Sequence, residues 1–452
     1  MKLDARRAVL LALIVASLAY HGSRAYVSVS FLANPARYPQ APFTLKAYSA
    51  EVSAVSDESK AAGLKPGDVI LRLGGRELRG YADLGLALVA AAPSGTLQVR
   101  LRRPEGEETL SLRLPAAAVP EMSDIVSTVV LEIALPLFFL GVGFAVAWLK
   151  PEDKAAWLLL YMMQTFSNLA GSTTIDLARL GPFFGTLSAL WFSFFASSWS
   201  LAMVSFALVF PEPLPMDARR PGLKWLLLLP LFSVTVITTG LNLSIADFAW
   251  GGRFLDIARA LGRPALILTF TAMSLFFWTL GFKAGTTKNL DAKRRLRILL
   301  IGAGVAMTPA ALLAALALVT GTRYGALAPN SLRVVAGLMM LLFPMVLAYV
   351  VIVHKAMGVG MAIRQGLQYA LAQRAIRFVQ MAIGIVVLFG LLEIFSDPMK
   401  RQVDRVRWLG LAVLFMVFFQ RGADRFRAGV DRRFFREAVD AERILADLGE
   451  RV

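Results

Sequence analysis

The chain contains no cysteine, and its only histidines are His21 and His354. Disulfides, thiol nucleophiles and cysteine-based metal sites are therefore excluded, and a histidine-rich metal centre has too few ligands to form. Each histidine sits beside an apolar run, where capping a helix end at a membrane interface is the expected role. His-Glu-x-x-His is absent and no Walker sequence occurs, while Gly358-Val359-Gly360 lacks the third glycine and the strand context of a dinucleotide loop. No cofactor is expected, and no enzyme is read from the motifs. Matching halves with paired Gly- or Pro-broken helices are also missing, which argues against a transporter. Charge is scarce: 17% of residues are charged and 57% hydrophobic, where soluble domains carry about 25% charged residues. The net charge of +17 would suggest nucleic acid in a soluble protein. Here Lys and Arg flank apolar runs, where positive charge fixes orientation, and nucleic-acid binding is not expected.

What the chain has is a train of apolar runs between Ile125 and Phe419. A helix crossing a hydrocarbon core of about 30 Å needs roughly 20 apolar residues. The runs are Ile125–Leu149, Ala155–Leu169, Phe183–Phe210, Leu223–Leu241, Pro264–Phe282, Ile298–Val319, Leu332–Val353 and Phe378–Phe395, then a short one at Trp408–Phe419. With Ala8–Tyr20 near the N-terminus they predict a polytopic α-helical membrane protein of roughly eight to ten spans, with the lipid bilayer as first partner. Residues 1–22 read as a retained signal anchor, since Lys2, Arg6 and Arg7 precede the run and no small-x-small cleavage site follows it. Positive charge on the inside then puts the N-terminus in the cytoplasm and residues 21–121 outside. The basic connections at Ala218–Lys224 and Phe282–Arg297 agree with this orientation. The segment Asp397–Arg407 runs against it, through a re-entrant pair or a local break of the rule.

Residues 41–117 read as a small β-rich domain. Val52–Val55, Val69–Leu73 and Leu97–Leu101 predict strands, Gly74-Gly75 a hairpin turn, Ala82–Ala92 a helix ended by Pro93, and Pro104-Glu105-Gly106 a second hairpin before Thr109–Leu114. The run Ser59-Lys60-Ala61-Ala62-Gly63-Leu64-Lys65-Pro66-Gly67-Asp68-Val69-Ile70, followed by Leu73-Gly74-Gly75, resembles the PDZ signature. The resemblance implies an extracytoplasmic PDZ-like domain that takes an extended peptide as an added strand. Phe43, Leu45, Tyr81, Leu84 and Leu88 are the candidate groove lining, although the helical spacing of Leu84 and Leu88 fits a core face better than a groove. The segment Pro42–Tyr48 lacks the glycine that turns backbone amides toward a peptide carboxylate, so weak peptide binding or none is expected.

The polar residues Glu132, Gln164, Asn168 and Glu393 fall in or near apolar runs. Ionisable groups at membrane depth are functional candidates, but interfacial snorkelling or an interhelical hydrogen bond accounts for them equally well. The run Phe183–Phe210 carries Trp191, Ser193, Ser197, Ser198, Trp199 and Ser200, which suits helix packing or a ligand cleft. Residues 123–420 thus form the multi-helix bundle, and His354–Arg377 suits an amphipathic helix at the inner interface. In residues 421–452, Phe434, Ala438, Ala441, Leu445, Leu448 and Val452 repeat at coiled-coil spacing, predicting a signalling helix that pairs as a parallel homodimer. Phe206–Pro211, Ile363–Ala370 and Asp431–Arg436 together resemble the membrane-sensor half of bacterial ComP-like sensor histidine kinases and related serine phosphatase sensors. That resemblance implies an inner-membrane receptor with a cytoplasmic kinase or phosphatase output. The catalytic boxes of such an output do not occur in these 452 residues, so a truncated product or an output on a separate chain is expected. The alternative is a PDZ-based adaptor for envelope proteins.

Overall fold

The computed structural model describes residues 5–115, 120–168, 181–212, 220, 222–288, 290–320 and 330–355. The expected runs Phe378–Phe395 and Trp408–Phe419, Glu393 and the signalling helix with Phe434, Ala441, Leu445 and Leu448 lie outside the described residues.

The chain is a polytopic helical protein. Six helices are long and apolar enough to cross a membrane among the described residues, or seven if the pair Phe183–Ser197 and Trp199–Val209, bent by 49°, is one span. The run expected at Ala155–Leu169 gives a helix of only 13 residues, Lys154–Phe166. That is about 20 Å, too short to cross, and much of it is buried by neighbouring helices.

The first helix, α1, spans Ala5–Ala33 and continues well past the boundary expected at residue 22. His21 and Arg24 look like the end of an apolar run in sequence. In the helix they share one buried face with Leu10, Ser17, Tyr20, Val27 and Ser28, while Val9, Leu11, Val15, Leu18, Tyr26 and Val29 are exposed on the other side. In water the polar face would point outward. Here the polarity is inverted, as expected of a helix whose outer solvent is lipid.

The small domain follows. Its strands are β1 (Phe43–Leu45), β2 (Val52–Val55), β3 (Val69–Leu73), β4 (Arg76–Glu77), β5 (Thr96–Arg103) and β6 (Gly106–Arg113), with short helix α2 (Asp57–Ala61) and helix α3 (Tyr81–Ala91). One antiparallel sheet pairs β1 with β2, and the other has the order β4-β3-β5-β6. The register Leu73↔Arg76 leaves Gly74 and Gly75 as a two-residue turn, both at positive φ, which is the turn chemistry the sequence announced. Strict alternation along β5 buries Leu97, Val99 and Leu101 against Ile70, Leu73 and Leu112. Gly63 and Gly67, at φ +95° and +93°, turn the chain from α2 into β3. Asp68 stabilises that turn by accepting from the Lys65 amide and from Arg103 at the end of β5.

The bundle helices are α4 (Met122–Ser127), α5 (Leu135–Leu149), α6 (Lys154–Phe166), α7 (Pro182–Ser197), α8 (Trp199–Val209), α9 (Trp225–Leu241), α10 (Phe248–Thr286), α11 (Leu290–Thr320), α12 (Asn330–Met340) and α13 (Leu342–Lys355). They belong to two compact units: the described residues up to 121 with those from 131 to 286, and residues 122–130 with the described residues from 287 to 355. In the first unit α1 packs on α5, α5 on α6, and α10 on α8 and α9. Gly143 lets α5 approach α6 closely, since a Cβ there would lie 2.8 Å from the Met163 Cβ. In the second unit α11 packs against α12 and α13, with Gly302 under Val346.

Candidate functional site

The five expected groove residues divide by burial. Phe43 and Leu88 are each 5% exposed and belong to the small domain's core. Leu45 and Leu84 are half-buried against that core. Tyr81 stands at the domain's edge. Its hydroxyl accepts the Tyr48 amide at 3.1 Å, and its ring meets Phe248 edge-on at 5.0 Å.

Phe248 is the first residue of α10, so the small domain is seated on the bundle of its own unit. The Phe248 amide donates to the Arg79 carbonyl at 2.7 Å, and Ala82 packs with Ala189 and Ile245. Gly80 makes the approach possible: a Cβ there would lie 2.5 Å from the Ile245 carbonyl oxygen. An open cleft of about 540 Å³ borders this contact, lined among others by Tyr48, Ser49, Leu78, Arg79 and Asp247. Burial pushes the Tyr48 hydroxyl above its usual range, with the neighbouring Tyr81 adding to it.

The second feature lies inside the helices. The buried face of α1 meets α6, α7 and Glu132, just before α5. Ser17 donates to Gln164 at 3.1 Å, the His21 Nε2 lies 3.2 Å from the Ser167 hydroxyl, and Ser28 donates to Glu132 at 2.6 Å. Asn168 donates to the Gln164 carbonyl and to Ser167. The Tyr20 ring lies edge-on to His21 at 4.8 Å and 6.1 Å from the Trp191 ring, with the Arg24 guanidinium 5.8 Å from its centre. Glu132 and Gln164 therefore make the interhelical hydrogen bonds that were one reading of them, and His21 is an interior residue, not an interfacial cap. Among the described residues several buried polar atoms have no hydrogen-bond partner: His21 Nδ1, Gln164 Nε2, Asn168 Oδ1 and Trp191 Nε1. Leaving such a group unmade costs about 1–3 kcal/mol.

Sequence reasoning singled out Glu132, Gln164, Asn168 and Trp191 but missed Ser17, Tyr20, Arg24 and Ser28. The signal was present, because Ser17, Tyr20, His21, Arg24 and Ser28 fall at i, i+3, i+4, i+7 and i+11 of one helix. Among the described residues no group of His, Asp and Glu could hold a metal ion. No protein-family model, curated protein or solved structure matches the chain.

Proposed function

We propose that the chain is a bacterial inner-membrane signal-transduction receptor, with the small domain outside and the C-terminus in the cytoplasm. It senses an extracytoplasmic or membrane-borne ligand and signals to a kinase or phosphatase output. The observation that carries the reading is that α1 is at once a wall of the polar seam and the helix that leads into the small domain. A ligand that engages the seam acts on α1, and through it on a domain that also touches the bundle at Gly80 and Phe248. The small domain is PDZ-like in this reading, supported by the order β2, α2, glycine turn, β3, β4, α3, β5. The signalling helix with Phe434, Ala441, Leu445 and Leu448 pairs between two copies and passes the change on.

The test uses the absence of native cysteine. Cysteine at Leu445 or Leu448 in the membrane-embedded protein is expected to cross-link between copies, and cysteine at Arg443 or Asp447 is not. Adding Gly80→Ala forces a methyl against the Ile245 carbonyl and unseats the small domain. A receptor should then change its cross-linking yield at Leu445 by about fivefold or more, the range of ordinary allosteric coupling. An adaptor, in which no signal crosses the membrane, would show the same yield with and without the substitution.

A further inference from the structure

Among the described residues, strand β6 is the long free edge of the small domain. Its sheet runs β4-β3-β5-β6, and β4 at the opposite edge has two residues. The edge strand β1 of the other sheet has three, with a register shift inside it. Shortness, bulges and proline are common protections of a sheet edge against pairing with another chain. β6 has none of them: Gly106–Arg113 pairs with β5 over eight residues without a register shift and contains no proline. The Leu114 amide donates to the Gly95 carbonyl at 2.9 Å, which continues the same ladder by one step. In an antiparallel pair successive residues turn their backbone groups alternately toward and away from the partner strand. The backbone groups of Glu108, Leu110 and Leu112 therefore face β5, and those of Glu107, Thr109, Ser111 and Arg113 point out from the edge. Apart from Leu110 and Leu112, residues 106–113 are exposed.

We propose that β6 pairs antiparallel with β6 of a second copy, joining two small domains in one continuous sheet. The strand is self-complementary in one register. With Leu110 on the two-fold axis, Glu107 of each copy lies opposite Arg113 of the other, and Thr109 lies opposite Ser111 between them. All four residues whose backbone groups point outward are then used. Moving the centre to Thr109 runs the pairing into the hairpin turn at Pro104-Glu105, and moving it to Ser111 sets Glu107 against Pro115, which has no N–H. Arg113 is exposed and makes no ion pair among the described residues. The Glu107 carboxylate accepts from Arg100 at 2.7 Å but is 45% exposed, so a second cation can reach it. This pairing holds for a receptor and for an adaptor alike, so its test is separate from that of the signalling helix.

The full chain in its membrane provides the test, since it has no cysteine of its own. In this register the two Leu110 residues form a non-hydrogen-bonded pair with Cα atoms about 4.5 Å apart, within disulfide reach. Leu110→Cys is expected to cross-link two copies on mild oxidation, and Gln98→Cys, exposed one strand in from the edge, is not. Thr109→Cys and Ser111→Cys leave the core untouched. Carried on two differently tagged chains expressed together, they should link to each other about fivefold more than either links to itself. Charge tests the register. In the Leu110→Cys chain, Glu107→Arg sets Arg against Arg at both ends and Arg113→Glu sets Glu against Glu, and each should lower the yield about fivefold. The same two chains expressed together are complementary again and should recover most of the parent yield. Two results overturn the proposal. One is Leu110→Cys linking no better than Gln98→Cys while the Thr109→Cys and Ser111→Cys chains show no preference for each other. The other is the two charge-changed chains linking to themselves as well as to one another. Cross-linking at Leu445 is read separately, and its absence alongside a linked Leu110→Cys would overturn the signalling helix alone.

Discussion

Asp68 shows how a single residue connects sequence to fold in the small domain. It ends the Lys-Pro-Gly-Asp turn, accepts the Lys65 amide, and takes two hydrogen bonds from the Arg103 guanidinium, at 2.9 and 2.8 Å. Arg103 also reaches the Gly63 carbonyl, so one buried pair ties the helix-to-strand turn to the end of β5. The hydrogen bond from Arg103 holds the Asp68 carboxyl below its usual value of 3.8; burial opposes the shift, and the Lys65 amide and the positive charge of Arg103 add to it. A carboxyl depressed on folding contributes stability that is fully present above its unfolded value and is lost as pH falls through the folded one. The small domain should therefore hold its stability from neutral pH down to about 4 and lose it below. Amide exchange over β3 and β5 in the full chain, corrected for the intrinsic pH dependence, should show this loss. Asp68→Asn should destabilise the domain by about 2 kcal/mol at pH 7 and flatten the acid limb. An unchanged acid limb in Asp68→Asn would show that another group is responsible.

At the scale of elements, the small domain was the most legible part of the chain. β2 and β3 begin and end where alternation and turn glycines put them, and α3 is displaced by one residue, to Tyr81–Ala91. Its signals are local: strand period, glycine at positive φ, a proline after the helix. The α1 boundary was not legible in the same way, because polar residues near the end of an apolar run read as solvent contact. Whether Ser17, His21 and Arg24 end the helix or line its interior depends on what packs against them, and that is set by α6 and α7, far along the chain. Lys283 gives a second example. In sequence it is one of several positive charges marking the inner side. In the fold it is buried, and its three ammonium N–H groups are shared among the carbonyls of Ala207, Leu208, Phe210 and Glu212 at 2.7 to 3.0 Å. It therefore satisfies carbonyls left open at the C-terminal end of α8, where a cation is also favoured by the helix dipole. Lys283→Met should lower stability by about 3 kcal/mol by leaving these carbonyls buried without a donor. The exposed Lys288→Met should change it by less than about 0.5 kcal/mol. Thermal unfolding of the two variants in the same detergent compares them directly, and equal midpoints would mean that the carbonyls find other donors.

At the scale of the whole molecule, the membrane class followed from run length and scarce charge, and six helices of spanning length among the described residues bear it out. The number of spans was less legible. Apolar run length measures solvent avoidance, and α6 avoids water by burial in protein instead of by crossing lipid. Orientation rests on the loops, and here the fold changes which charges count. In the basic stretch from Phe282 to Arg297, Lys283 and Arg295 are buried, each 7% exposed, and so do not report which side of the membrane they face. Lys288, Arg294 and Arg297 are exposed and do. Positive charge retained on the inner side acts through such exposed residues within about 20 residues of a span, so the stretch still predicts a cytoplasmic position. The small domain, reached from the N-terminal end through α1, is predicted outside. A reporter active only outside the inner membrane should work when fused after Gly95 and be silent when fused after Lys293. Replacing Lys288, Arg294 and Arg297 together with Gln should weaken that orientation, whereas Lys283→Gln should leave it intact and act only on stability. Activity after Lys293 with silence after Gly95 would reverse the orientation, and the polar seam on α1 would then have to be reached from the cytoplasm.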